Sequence, residues 1–189
     1  MRKPPGGLSR PVASWVSAVL LVVIVLGVVW LYRSVRLGVI PSESMTPTLL
    51  HGDWYLIRID AYRHAMPDRG DVVVTRNPEK GKEHELLVKR VVAVGGDRVA
   101  VAEGRVWLNG GWLEEPYIEQ RPGVKETPLA GSVLDGHVVL LGDNRNTSED
   151  SRDFGAVPVG NIMGRVTAVL LPWKHRRPID APAPREAAK

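Results

Sequence analysis

Two residues of this chain could do chemistry together: a lysine where an ammonium ion is poorly solvated, and a serine on a stiff turn. The chain has seven lysines. Lys80 and Lys82 lie in a polar loop, and Lys3 and Lys189 are terminal. Lys89 stands inside Leu86-Leu87-Val88-Lys89-Arg90-Val91-Val92. As a strand, this run puts Leu87, Lys89 and Val91 on one face, with Val88, Arg90 and Val92 on the other. Apolar neighbours disfavour the charged amine, and a neutral lysine is a general base. Arg90 cannot take that role, because guanidinium stays protonated. Taken alone, the residue is better read as a lysine snorkelling off an edge strand.

The serine belongs to Ile40-Pro41-Ser42-Glu43-Ser44-Met45-Thr46-Pro47-Thr48-Leu49. Pro41 and Pro47 restrict φ and stiffen the segment. A serine on such a turn is a nucleophile if a base reaches it. By itself the segment reads equally as a Pro/Ser loop. A third segment, Gly142 to Gly155, is dense in charged and amide side chains and follows the apolar run His137–Leu141. Alone, it reads as an exposed turn that hydrogen-bonds itself.

These segments need a framework. The length of 189 residues suits one domain with an appendage. Nineteen Gly and fifteen Pro fit a turn-rich β domain better than a helical bundle. Strands are predicted at Asp53–Ile59, Asp71–Arg76, Leu86–Val94, Arg98–Val101, Arg105–Asn109, His137–Leu141 and Gly164–Leu171. Glu103-Gly104 and Gly110-Gly111 have hairpin chemistry. Arg69-Gly70-Asp71 and Gly95-Gly96-Asp97 read as turns. A short helix is expected only at Ala61–Met66.

The absence of cysteine excludes disulfides, zinc thiolates and a Cys nucleophile. His51, His64, His84, His137 and His175 have no metal-ligand spacing, and no Gly-rich phosphate loop occurs. Trp54, Trp107, Trp112 and Trp173 read as core or membrane-surface contacts. A net charge of +4, partly at the chain ends, calls for no nucleic-acid partner.

Val12 to Tyr32 carries no charge and is flanked by Arg10 and Arg33. As a helix it spans about 31 Å, the thickness of a hydrocarbon core. Trp15, Trp30 and Tyr32 lie near its ends, where aromatic rings settle at headgroups. The run is longer than the apolar region of a cleaved signal peptide. Arg2, Lys3 and Arg10 against Arg33 and Arg36 lean weakly towards a cytoplasmic N-terminus. The expected organisation is a short tail at 1–11, an anchor at 12–32, a β-rich domain at 33–173 and a basic, Pro/Ala-rich disordered tail at 174–189.

Together, in order behind one anchor, the three segments resemble the type I signal peptidase (leader peptidase) family, membrane-anchored serine proteases with a Ser/Lys dyad. Ser44-Met45 with Pro47 looks like the nucleophile box. Lys89-Arg90 with Gly95-Gly96-Asp97 looks like the lysine box. Gly142-Asp143-Asn144-Arg145 through Ser148, Asp150, Ser151 and Arg152 looks like the last box. The resemblance covers roughly residues 12–173. Asn146 stands where the family usually has Asp, and Glu43 where it often has a small residue.

The resemblance implies a mainly β fold, a β-sheet or barrel catalytic domain with one N-terminal transmembrane helix and a reduced second β domain. It implies Ser44 as nucleophile and Lys89 as base. Ser148 would orient the amine, and Ser42 would donate to the oxyanion beside the Ser44 N–H. Asp143, Asn144, Arg145, Asp150 and Arg152 would form a scaffold. An extended peptide would add as a strand beside Gly38–Pro41 and Leu86–Val88. A pocket of Ile40, Met45, Leu49 and Val88 would admit only small side chains at alternate positions.

The expected clients are exported preproteins with a small-x-small cleavage site. The bilayer and a nearby secretion translocon are the other expected partners, with no cofactor or metal. The domain is expected on the outer face of the cell membrane. A self-cleaving repressor-like Ser/Lys protein would lack the anchor. A non-catalytic tethered module would not need Ser44, Lys89 and Ser148. A paralogue dedicated to one pilin or conjugation client, or an organellar processing peptidase, stays compatible with the sequence.

Overall fold

The computed structural model describes residues 10–118, 128–179 and 185–186. The chain divides into two units, with the boundary after Val35. The first is helix α1, Arg10–Ser34. An 18-residue window within its Trp15–Ser34 stretch has a mean hydropathy of 2.6, so α1 is long and apolar enough to cross a membrane. Val16, Leu20 and Val23 on it are exposed.

The second unit is mainly β. Its first four strands are β1 (Val35–Val39), β2 (Trp54–Arg58), β3 (Val72–Arg76) and β4 (Leu86–Val94). Then come β5 (Arg98–Ala102), β6 (Arg105–Leu108), β7 (Gly111–Glu114), β8 (Leu129–Ser132) and β9 (His137–Leu141). Helix α2 (Ser151–Phe154) precedes β10 (Val157–Pro158), β11 (Ile162–Leu171), β12 (Arg177–Pro178) and β13 (Arg185–Glu186). One sheet runs β1-β2-β11-β3-β4-β9-β10, with β12 added to β11. A second runs β13-β7-β6-β5-β8.

Strand alternation places the core as predicted for β4. Val72, Val74 and Val88 pack with Ile40, Met45 and Leu49. Val73 and Val91 pack with Val138 and Leu140 on the other side. Lys89 lies opposite Val73 in the β3–β4 ladder, on the Val91 face. β4 is paired with β3 from Leu86 to Arg90, whereas β9 pairs only with Arg90–Val94. Along Leu86–Lys89 one edge of β4 therefore extends past β9.

Three expectations change. Ala61–Met66 forms turns, not a helix. Pro67 disfavours helix in the residue before it, and the Tyr62 hydroxyl is tied to Asp71 at 2.8 Å. The second hairpin turns on Asn109-Gly110, both at positive φ, one residue earlier than Gly110-Gly111. The packed domain also continues beyond 173. Arg177 and Pro178 pair with Val169 and Ala168, the Ile179 N–H donates to Thr167 O at 2.9 Å, and Ile179 is buried. A single isoleucine among basic and Pro/Ala residues gives too little pattern to signal this. Of the expected tail, residues 180–184 and 187–189 lie outside the described residues.

Candidate active site

The Ser44 segment is held as a tight turn by its own backbone. The Thr46 N–H donates to Glu43 O at 3.1 Å and the Leu49 N–H to Met45 O at 2.8 Å. Met45 and Leu49 are buried beneath it and anchor it to the core. The Gly142–Arg152 segment clamps it from the other side. The Asn144 backbone N–H donates to Ser44 O at 3.0 Å, and Asn144 Nδ2 to Glu43 O at 3.2 Å.

Gly142 makes this approach possible. A Cβ there would lie 2.2 Å from Ser148 Oγ and 2.5 Å from Ser44 O. Only a residue without a side chain lets the two segments meet.

β4 brings the lysine to the serine. Lys89 Nζ lies 3.0 Å from Ser44 Oγ, and Ser42 Oγ lies 3.2 Å from it on the exposed side. Lys89 is 3% exposed. Burial pushes its pKa down to about 8, against the pull of Asp150, Glu149 and Asp143. Roughly a tenth of the amine is therefore neutral at pH 7, far more than for an ordinary lysine. A hydroxyl and a neutral amine in contact form a nucleophile–base pair.

The other expected site residues fall into place unevenly. Ile40, Met45 and Val88 line a cleft of about 550 Å³ that also holds Ser42, Ser44 and Lys89. Leu49 does not line it; at 0% exposure it sits in the core, turned inward by the turn that Met45 begins. Ser148 is buried, and its hydroxyl acts on Asp150 and makes no hydrogen bond to the Lys89 amine, so the expected bond is not formed.

Asp143 accepts from Arg90 Nε at 2.9 Å and Nη2 at 2.7 Å, and from the Thr48 hydroxyl. Arg145 donates to Gly142 O at 3.0 Å and to Glu115 at 3.1 Å. Asp150 accepts from Arg152 at 2.9 Å and from the Gly142 N–H at 3.0 Å. Burial alone would raise the Asp150 pKa; the Arg152 bonds outweigh it and hold it below the usual carboxylate value.

Sequence reasoning missed Arg90, Thr48, Glu115 and Tyr117 in this framework. Arg90 links β4 to Asp143 and Thr48, and the Tyr117 ring lies 3.9 Å from its guanidinium carbon. The available signal was an arginine in an apolar strand, which demands a buried acceptor. Among the described residues, no His, Cys, Asp and Glu group could hold a metal ion.

A family model described as signal peptidase, peptidase S26, matches residues 12–173. The chain belongs to this family. The peptidase is 37% identical over 153 residues to the "Probable signal peptidase I-2" of Synechocystis sp. (strain ATCC 27184 / PCC 6803 / Kazusa), covering 79% of this chain and 69% of that one. It is 41% identical over 143 residues to "Signal peptidase I" of Leptolyngbya laminosa, covering 73% and 68%. A crystal structure of a signal peptidase I from Enterococcus faecalis V583 aligns over 53% of this chain and 97% of that one. It does so with 27% identity and a TM-score of 0.45. By its family the chain is a serine endopeptidase.

Proposed function

We propose that the chain is a membrane-bound signal peptidase I in which Ser44 and Lys89 form the catalytic dyad. The observation that carries this reading is the 3.0 Å contact between Lys89 Nζ and Ser44 Oγ, with the amine buried and its pKa lowered. Lys89 takes the Ser44 proton as Oγ attacks the scissile carbonyl, then passes it to the leaving amine. Water activated by the same amine releases the acyl group. The Ser44 N–H and Ser42 Oγ stabilise the oxyanion. One such donor is typically worth about 3–4 kcal/mol in the transition state.

The substrate is the extended end of a signal peptide on a preprotein. It adds as a strand along the part of β4, Leu86–Lys89, that β9 leaves unpaired. Alternate side chains then face Ile40, Met45 and Val88, whose bulk leaves room for small residues. α1 anchors the enzyme, the N-terminus stays in the cytoplasm and residues 33–189 lie on the outer face, near the translocon. Trp54 pairs with Leu171 beside exposed Trp173, an apolar surface suited to touching lipid.

The deciding experiment is cleavage of a preprotein in detergent, with mass spectrometry of the product N-terminus. The expected cut follows a small-x-small site and is abolished in Ser44→Ala and Lys89→Ala. Cleavage at unrelated positions, or persisting in either variant, overturns the reading.

A further inference from the structure

Asp143, Glu149 and Asp150 are the carboxylates that favour the ammonium form of Lys89. Asp143 is buried and paired with Arg90 on the lysine's own strand. Asp150 is buried and paired with Arg152. The nucleophile turn presents the neutral hydroxyls of Ser42 and Ser44 and the exposed carboxylate of Glu43 at the same cleft. β3 presents Val73. Glu149 differs from the two aspartates. It lines the cleft, its side chain is half exposed, and its partner lies neither on the lysine's strand nor in the Gly142–Arg152 segment.

That partner is Lys82, whose Nζ lies 3.0 Å from Glu149 Oε1. Lys82 belongs to the loop between β3 and β4. The loop is closed by the Asn77 N–H to Glu85 O at 2.9 Å, the Glu85 N–H to Lys82 O at 2.8 Å and the Lys82 N–H to Glu79 O at 3.0 Å. The Glu79 side chain also reaches Lys82 Nζ, at 2.5 Å. The loop that leads into the base strand thus delivers a cation to the only cleft-lining carboxylate of the Gly142–Arg152 segment.

We propose that Lys82 is a positioning residue for the catalytic base: by pairing with Glu149 at the edge of the cleft, it keeps that carboxylate from holding a proton on Lys89. This inference rests on the dyad reading above. Its sign is set by charge. A bare Glu149 stabilises the ammonium, and a bare Lys82 destabilises it.

The test is the pH profile of kcat/KM on a signal-peptide substrate, with the full chain in detergent. The variants are Lys82→Gln, Glu149→Gln and the pair combined. Lys82→Gln should move the acid limb up by about half a pH unit, roughly a threefold loss below the limb with the alkaline plateau retained. Glu149→Gln should move it down by a similar amount, and the double variant should return close to the parent. Both single-variant shifts should shrink in about 1 M salt, where exposed charges are screened.

Loss by one factor at every pH, or a limb that none of the variants moves, overturns the proposal while leaving the dyad intact. A parent profile with no acid limb would overturn both readings.

Discussion

The role proposed for Lys89 sets two demands that conflict. To act as a base it must be neutral, and the burial that favours the neutral amine comes at a cost to the fold. With its pKa pushed down to about 8 by burial, the folded protein binds fewer protons than the unfolded chain between that value and the ordinary 10.5. Stability linked to this amine is therefore lowest below about pH 8 and rises as the pH climbs towards 10.5. The penalty at pH 7 is on the order of 3 kcal/mol. Lys89→Met should abolish cleavage and raise the melting temperature at pH 7, with the gain fading at pH 10. A thermal melt at the two pH values checks it. The same titration governs activity: kcat/KM should fall about tenfold per unit below pH 8. Lys89→Arg should be inactive throughout, because a permanent cation accepts no proton. A profile flat from pH 6 to 10 would contradict the assignment. Gly142→Ala belongs to this scale too. Its methyl would collide with Ser148 Oγ and Ser44 O, and shifting Ser44 by about 1 Å should cost roughly a hundredfold in kcat.

Between elements, the buried Arg90–Asp143 pair is the main tie. It joins β4, which carries Lys89, to the segment that clamps the Ser44 turn, and Thr48 joins both. Asp143→Ala would strand a guanidinium that is 1% exposed. Such a loss costs about 3–5 kcal/mol, whereas replacing both partners by apolar side chains costs far less. Urea unfolding should therefore rank Asp143→Ala below Arg90→Met/Asp143→Leu. The reverse order would mean that the pair does not hold these elements.

The strands themselves were legible where side chains alternate or run apolar, as in β3, β4 and β9. β1 and β8 were not. Val35-Arg36-Leu37-Gly38-Val39 and Leu129-Ala130-Gly131-Ser132 are short and mostly exposed, and they exist because β2 and β5 offer them partners.

For the whole molecule, the proposed orientation has a direct check. Protease added to intact spheroplasts should digest the β domain while cytoplasmic markers survive. If digestion requires lysis, the catalytic domain faces the cytoplasm and exported preproteins are not its clients.

The sequence by itself determined the β class, marked a run long and apolar enough to span a membrane, and singled out the residues proposed to carry the chemistry. Each rests on local signals: an uncharged run, period-two alternation, and three short boxes of distinctive residue types. Only the tertiary structure decided what those residues meet. The 45 positions between Ser44 and Lys89 close to 3.0 Å because β4 crosses the sheet beside the nucleophile turn, and no local pattern encodes that distance. The partner of Arg90, the close approach allowed by Gly142, the inward turn of Leu49 and the docking of Ile179 are likewise long-range outcomes. Each depends on burial against residues far away in the chain, which composition and spacing do not record.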